Sequence, residues 1–283
     1  MIIDENLARQ VVQPRQSQSH KGSYGRVLLI GGLYPYGGAI IMAALACVNS
    51  GAGLVTVATD KENIPALHAH LPEAMTFDLA EEDRLREQMK SADLILIGPG
   101  LGEDQLAQKA FDLILEQISA HQKLIIDGSA LNLLAKKEQV NFLTNQLVLT
   151  PHQKEWERLS GLAISEQTDA NNQAALRHFP KGTVLVAKSH QTKVLQGDLL
   201  GELRVGGPYQ ATGGMGDTLA GIIAGFLAQF QSGNFETVAA ATYLHSAIAD
   251  ELSKEAYVVL PTKISAELPK VMAKLSNTLL KLK

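Results

Sequence analysis

A glycine-rich segment with one carboxylate, Gln210–Gly221, carries the clearest chemical signal in the sequence. Gly213, Gly214 and Gly216 leave backbone N–H groups uncovered by side chains, and the apolar residues that follow have helical spacing. Free amides and the positive end of a helix dipole then point the same way, which predicts a site for phosphate oxygens or a developing oxyanion. The carboxylate of Asp217 would repel such a ligand unless it takes part in the reaction, for example by accepting a proton. The structural alternative is that Asp217 only caps the helix.

Three further polar segments directly follow short apolar runs that are typical of buried strands. They are Ile97–Gly102, Thr150–Glu155 and Lys188–Thr192. Ligands of an open parallel sheet bind beyond the carboxyl ends of its strands, so all three are candidate site segments. His152 could hydrogen-bond a ligand, Glu155 could hold a Mg²⁺-bound water, and Lys188 could neutralise a phosphate. The structural alternatives are a tight strand-to-helix turn, a solvated helix start and an ordinary charged loop.

Neither glycine segment fits a standard nucleotide fingerprint. Gly98–Gly102 has the spacing G-x-G-x-G rather than G-x-G-x-x-G, and no Walker A lysine motif occurs in the chain. An anion-binding turn that ends in a carboxylate instead favours phosphoryl transfer to a hydroxyl. Asp217 would take the proton of the attacking oxygen, and the turn amides would stabilise the charge of the transferring group.

The elements that must position these residues alternate between short apolar strands and helices. This pattern predicts an α/β fold with a mostly parallel sheet covered on both faces. The predicted strands are residues 26–30, 54–58, 75–77, 94–97, 124–127, 147–150 and 184–187. A hairpin (Thr192–Leu195 with Leu199–Val205) and helices at Asp217–Gln229, Phe235–Leu252 and Lys263–Leu279 follow. The last helix has an apolar stripe expected to pack on the core, formed by Ile264, Leu268, Val271, Leu275 and Leu279.

Composition and charge argue against several classes of protein. A chain of 283 residues with 46% hydrophobic and 19% charged residues is typical of a globular enzyme, and we expect one domain over residues 1–283. A net charge of −4 without a basic run argues against nucleic acid. Cys47 is the single cysteine, which excludes an intrachain disulfide. The acidic Met1–Asn6 and the short apolar runs predict a cytoplasmic protein without a membrane partner.

Considered together, the motifs resemble those of one protein family. The segments concerned are Lys21-Gly22, Gly25–Gly32, Gly51–Thr59, Gly98–Gly102, Thr150–His152 with Glu155, and Ala211–Asp217. The glycine turn with Asp217 resembles the anion hole and catalytic Asp of the ribokinase-like superfamily. The full set, from about Lys21 to about Asp250, resembles the ADP-dependent NAD(P)H-hydrate dehydratases in the form without a fused epimerase domain.

The resemblance implies a ribokinase-like three-layer α/β/α sandwich and a lyase that repairs damaged cofactor. Such enzymes act on NADH or NADPH that has added water across the 5,6 double bond of the nicotinamide ring. ADP or ATP phosphorylates the C6 hydroxyl of the S-epimer, and phosphate then leaves, because phosphate is a far better leaving group than hydroxide. Mg²⁺ as a cofactor and a homotetrameric assembly are implied as well.

Carried over residue by residue, the resemblance gives each candidate a role. Asp217 is the base, assisted by the amides of Gly214 and Gly216. The residues implied to line the hydrated cofactor are Ala39, Gly102, His152 and Asp217. Those implied to hold the nucleotide are Lys188, Ser189, His190, Gln191, Thr192 and Gly216. Glu155 is implied to act on Mg²⁺ through water.

Three positions depart from the pattern of the family. Ser129 stands where a second Asp is usual after Asp127-Gly128, Gln153-Lys154 replaces a common Pro-Gly, and Gln210 replaces a common Met. None of these changes removes Asp217. The nearest alternative is a ribokinase-like kinase for a vitamin-precursor alcohol of the hydroxymethylpyrimidine or hydroxyethylthiazole type, although His152 stands where those kinases tend to carry Asn. A non-catalytic nucleotide sensor and a purely structural protein are weaker alternatives.

Overall fold

A sheet of ten strands forms the centre of the computed structural model, which describes residues 1–280 and the side chains through Ser276. The strands are β1 Ile2–Ile3, β2 Arg26–Ile30, β3 Leu54–Thr59, β4 Met75–Asp78, β5 Leu94–Ile97, β6 Lys123–Ile126, β7 Leu147–Leu149, β8 Val184–Ala187, β9 Lys193–Gln196 and β10 Leu199–Leu203. Their order across the sheet is β1-β10-β9-β8-β7-β6-β5-β2-β3-β4. Only β9 runs antiparallel to its neighbours, so the predicted hairpin and the mostly parallel sheet are both confirmed.

Helices cover both faces of this sheet. They are α1 Glu5–Val11, α2 Gly37–Asn49, α3 Ile64–His70, α4 Glu82–Ser91, α5 Gln105–Gln117, α6 Ser129–Ala135, α7 Gln153–Ser160, α8 Asp169–Leu176, α9 Met215–Gln229, α10 Asn234–Ser253 and α11 Pro261–Leu280. Successive strand residues point to opposite faces, so Leu29 joins a core with α2, α9, α10 and α11, whereas Leu28 joins one with α4 to α8. The three-layer α/β/α prediction is therefore confirmed.

The elements near the two ends of the chain were predicted from the sequence less completely than the rest. Neither β1 nor α1 was predicted from the sequence, because two residues of strand and seven of helix are too short for a periodic signal. In α11 the predicted stripe is partly realised, since Ile264, Leu268 and Leu275 are buried and Val271 packs against them. The side chain of Leu279 lies outside the described residues. No helix of the described chain is both long and apolar enough to cross a membrane.

Helices α2 and α9 approach each other closely enough that their backbones nearly touch. A Cβ atom placed on Gly221 of α9 would lie 2.1 Å from the carbonyl oxygen of Ala43 in α2, and one placed on Gly225 would lie 2.8 Å from the carbonyl of Cys47. Both helices begin at the candidate site, with Ala39 in the first turn of α2 and Asp217 in the first turn of α9, so this contact helps to set the distance between the two helix starts.

We therefore expect Gly221→Ala to lower the free energy of unfolding by about 1–3 kcal/mol, because overpacking a tight contact outweighs the gain of up to about 1 kcal/mol in helix propensity. Gly38→Ala in α2 is the matched control, since a Cβ there meets nothing within 4 Å. Urea unfolding of both variants gives the comparison. A midpoint for Gly221→Ala equal to that of the control would contradict the close approach.

Candidate active site

The four candidate segments meet at one edge of the sheet. Ile97, Ile126 and Leu149 are paired in register across β5, β6 and β7, so the residues that follow them emerge side by side. The loop after β8 joins the same edge, because the amide of Lys188 donates to the carbonyl of Pro151 at 2.9 Å. The expectation of a shared edge at the carboxyl ends of parallel strands is thus fulfilled.

Lys188 lies at the centre of this edge. Its Nζ donates to Oδ1 of Asp127 at 3.0 Å, and the Thr150 hydroxyl donates to the same oxygen at 2.6 Å. Asp127 is only 2% exposed, so the ion pair is shielded from water. A Cβ on Gly216 would lie 3.1 Å from the same Nζ, which puts the ammonium against the glycine segment. Lys188 therefore connects the ends of β6, β7 and β8 to the start of α9.

The charges around Lys188 set the protonation of the site. Burial acts to lower the pKa of Lys188, but Asp127, Glu155 and Asp217 together outweigh it, so the pKa is raised and the ammonium stays charged. Burial, followed by the nearby Asp127, raises the pKa of Asp217 to about 6, with Lys188 opposing them. A carboxylate with this pKa is mostly ionised at neutral pH, yet it can accept a proton readily.

Helix α9 begins two residues earlier than the sequence predicted. Gly214 is its N-cap in the left-handed conformation with φ of 90°, and it makes no side-chain cap bond. Gly216 therefore lies in the first helical turn rather than in a turn before the helix, which corrects the prediction of a helix from Asp217. The first amides of a helix have no partner within it, so they remain available to an anion.

Asp217 is the third residue of α9 and does not occupy the N-cap position. Its carboxylate accepts a bond from its own backbone amide, and it is the side chain that Lys188, Asp127 and Glu155 all influence. The helix-cap alternative is thus less well supported than a role inside the charged cluster, although an acid in the first turn still complements the helix dipole.

His152 and Glu155 form a reciprocal capping box at the start of α7. His152 Nδ1 accepts the amides of Lys154 and Glu155 at 3.1 and 3.2 Å, and Glu155 Oε2 accepts the amide of His152 at 2.8 Å. Because Nδ1 acts as an acceptor, a neutral imidazole carries its proton on Nε2. Burial, followed by the charge of Lys188, lowers the pKa of His152. This exposed ring therefore offers an N–H donor at neutral pH.

Glu155 differs from the solvated residue of the structural alternative. It is 7% exposed, and burial raises its pKa. Within residues 1–280 no group of three His, Cys, Asp or Glu side chains is placed to hold a metal ion, and one oxygen of Glu155 is already bonded to His152. These residues do not form a Mg²⁺ site by themselves. A Mg²⁺ ion here would need the phosphates of a nucleotide and water as its main ligands.

The Lys188–Thr192 loop lies along a cavity of about 730 Å³, a size that suits a nucleotide. The cavity is lined by Lys188, Ser189, His190, Thr192 and Gly216 among others. The hydroxyl of Thr192 donates to the carbonyl of Ser189 at 3.0 Å, so it shapes the loop as well as facing the cavity. Gln191, by contrast, faces a smaller cavity of about 170 Å³ behind the loop.

The two remaining residues predicted to line the hydrated cofactor lie at the other end of the edge. In the loop after β5, Gly100 packs tightly against Ala39 and Tyr36, whereas a Cβ placed on Gly102 would meet nothing within 4 Å. Ala39 is half-buried on α2, and Met42 one turn later lies against Gly214. Gly100 is therefore explained by a tight turn after β5, without a ligand. Ala39 and Gly102, by contrast, have space beside them.

Asp127 is a charged member of the site for which no role was predicted from the sequence. Its signal was present, because an acid directly after the buried run Leu124–Ile126 must lie at the carboxyl edge of the sheet. Its partner Lys188 is 61 residues away in sequence, so no local pattern could have paired the two.

Comparisons with known proteins identify the family and the fold of this chain. A family model described as NAD(P)H-hydrate dehydratase matches residues 27–270. The ADP-dependent (S)-NAD(P)H-hydrate dehydratase of Streptococcus thermophilus is 66% identical over 98% of this chain and 100% of that protein. A ribokinase-like superfamily protein from Enterococcus faecalis V583 has a TM-score of 0.94 at 49% identity, covering 97% of this chain and 96% of that one.

A more distant solved structure is also informative. The ADP/ATP-dependent NAD(P)H-hydrate dehydratase from Bacillus subtilis, co-crystallized with ATP and Mg²⁺, has a TM-score of 0.84 at 29% identity, covering 97% of this chain and 98% of that one. The fold and the family predicted from the sequence motifs are confirmed by these matches. The chain belongs to the NAD(P)H-hydrate dehydratase family.

Proposed function

We propose that this chain catalyses the ADP-dependent dehydration of the S-epimer of hydrated NADH or NADPH. Family membership supports the substrate class, and one observation carries the chemistry. Asp217, with a pKa raised to about 6, lies in the first turn of α9 where amides are free to stabilise negative charge. A base and an anion site therefore share one helical turn.

The proposed reaction has two steps. Asp217 accepts the proton of the C6 hydroxyl while the oxygen of that hydroxyl attacks the β-phosphorus of ADP. This step forms a C6 phosphate ester and releases AMP. The C6–O bond then breaks with help from the lone pair of the ring nitrogen, and loss of the C5 proton restores the 5,6 double bond. The products are the reduced cofactor, AMP and phosphate.

The other site residues divide between the two ligands. In this proposal Ala39, Gly102 and His152 contact the hydrated cofactor, and the Nε2 proton of His152 is a donor to it. The residues that hold the nucleotide are Lys188, Ser189, His190, Gln191, Thr192 and Gly216. The amides of Gly214 and Gly216 stabilise the transferring group. Glu155 would help to hold Mg²⁺ through water, and the ion would neutralise charge on the nucleotide phosphates.

The broader predictions belong to the same proposal. Residues 1–283 would form one domain, the enzyme would assemble as a homotetramer, and it would act in the cytoplasm. ATP would serve as donor in place of ADP with the same chemistry. The alternative of a vitamin-precursor kinase is less supported, because the relatives that match nearly the whole chain at high identity carry the dehydratase name.

The first prediction from the proposed function concerns Asp217→Asn. We expect about a 10²–10⁴-fold loss in the rate at which absorbance at the reduced-nicotinamide band recovers from hydrated cofactor, ADP and Mg²⁺, because a general base is lost. Asp198→Asn is the matched control, since that carboxylate is 99% exposed in the β9–β10 turn and should change nothing. Equal rates for the two variants would show that Asp217 is not the base.

The second prediction concerns pH. Asp217 must be ionised to accept a proton, so kcat/KM should fall as pH drops through about 6. In Asp127→Asn a negative charge is removed, and Lys188 loses its partner. Both changes favour ionised Asp217, so the acidic limb should move to lower pH. A limb that stays in place, or moves upward, would separate Asp127 from the protonation of Asp217. Thr150→Val, which keeps the charge, is the control.

A further inference from the structure

A chain of hydrogen bonds leads from the open glycine loop after β5 to the surface of α7. Asn132 Nδ2 donates to Oε1 of Glu103 at 2.9 Å, and Arg158 Nη1 donates to Oδ1 of Asn132 at 2.9 Å. Lys136 Nζ lies 2.5 Å from the other oxygen of Glu103. One carboxylate and two cations leave this cluster with a net charge of +1.

The cluster lies beside the part of the site assigned to the hydrated cofactor. Glu103 follows Gly102 directly in the chain. The charge of Arg158 is one of those that lower the pKa of His152, after burial and Lys188, and it also acts on Glu155 and Glu103. Arg158 thus lies between the residue that follows Gly102 and the start of α7 with His152, and it is not among the residues that line the cavity along the Lys188–Thr192 loop.

Arg158 is held in place but keeps most of its binding capacity. Its hydrogen-bond partner is a neutral amide, and among residues 1–280 it makes no ion pair with a carboxylate. A guanidinium has five N–H donors in a planar fork, so four remain after the bond to Asn132. The side chain is exposed. A fixed guanidinium with free donors matches the geometry of a phosphate group.

We propose that Arg158, positioned by Asn132, binds a phosphate of the hydrated dinucleotide substrate. This inference rests on the proposed function, because it requires a hydrated dinucleotide bound beside Gly102 and His152. The shared chemistry is a phosphate oxyanion, which the substrate offers in its pyrophosphate and, in the NADPH form only, in its 2′-phosphate. Asn132 orients the guanidinium, and Glu103 in turn orients the amide of Asn132.

The test compares Arg158→Met and Arg158→Lys with Arg177→Met, a control at an exposed arginine on the far end of α8. With saturating ADP, we expect Arg158→Met to raise the KM for the hydrated cofactor about ten- to a hundredfold, because a charged hydrogen bond is lost. The KM for ADP and kcat should change little, and Arg158→Lys should recover part of the loss because it keeps the charge.

The two hydrated substrates distinguish the phosphates. An equal rise in KM for hydrated NADH and hydrated NADPH assigns Arg158 to the pyrophosphate, and a rise for hydrated NADPH alone assigns it to the 2′-phosphate. Unchanged KM values with a lowered melting temperature would reduce Arg158 to a clamp between α6 and α7, and the proposal would be overturned.

Asn132→Leu separates positioning from a merely structural role. Leucine has nearly the shape of asparagine but cannot accept the bond from Arg158, so the guanidinium keeps its charge and loses its orientation, and the KM for the hydrated cofactor should rise. A clamp without a substrate role predicts a lower melting temperature with an unchanged KM.

Direct titration of hydrated NADH without ADP keeps this proposal distinct from the proposed function. If the wild type binds the hydrated cofactor but never restores its absorbance, and Arg158→Met weakens that binding, then the function fails while the Arg158 assignment stands. If the wild type binds neither hydrated NADH nor, in a parallel titration, hydrated NADPH, both are overturned.

Discussion

The ion pair between Lys188 and Asp127 is the interaction on which the rest of the site depends. Two charges in a largely dry environment are stable only because each has a close partner, and removing one partner of such a pair costs about 3–5 kcal/mol. The pair joins the loop after β8 to the end of β6, and Thr150 ties it to the end of β7. Burial is the main reason why the pKa of Asp217 is raised, and the charges of Asp127 and Lys188 come next, with opposite signs. The same contact that positions the loops therefore also adjusts the protonation of Asp217.

The topology of the sheet explains why the site lies at this edge. Strand order runs β8-β7-β6-β5 and then turns to β2-β3-β4, so the connections reverse direction between β5 and β2, where open α/β sheets bind their ligands. The segments that follow β2 and β5 stay in contact here, because the amides of Gly32 and Leu33 donate to the carbonyls of Pro99 and Gly100 at 2.9 Å. Ala39 lies beside this contact, and Gly102 lies just beyond it. Close packing of α2 on α9 then brings Gly214 and Asp217 to the same place.

Much of the fold could be predicted because burial imposes simple patterns. Leu94–Ile97 forms a strand with the predicted bounds, since four apolar residues between Asp93 and Gly98 are too few for a helix and are buried most simply as a strand inside the sheet. The first residue of α9 was harder to predict, because Gly214 and Gly216 are both glycines and only tertiary contacts decide which of them is helical. The start at Met215 follows from Gly214 in its left-handed conformation, packed against Met42. The Lys188–Asp127 contact was out of reach, since it joins residues that share only an edge of the sheet.

The position of Lys188 reconciles its ion pair with the expectation that it holds a nucleotide. Pairing with a carboxylate does not exhaust the binding capacity of a lysine, because an ammonium group has three N–H donors and Asp127 accepts only one of them. The Nζ atom also lies against Gly216 and along the cavity of the Lys188–Thr192 loop. A phosphate at the start of α9 would therefore meet the remaining donors without displacing Asp127. Asp217 and Glu155 interact with the same ammonium group. A bound phosphate would partly neutralise that positive charge, which would raise the pKa of Asp217 and make it a stronger base.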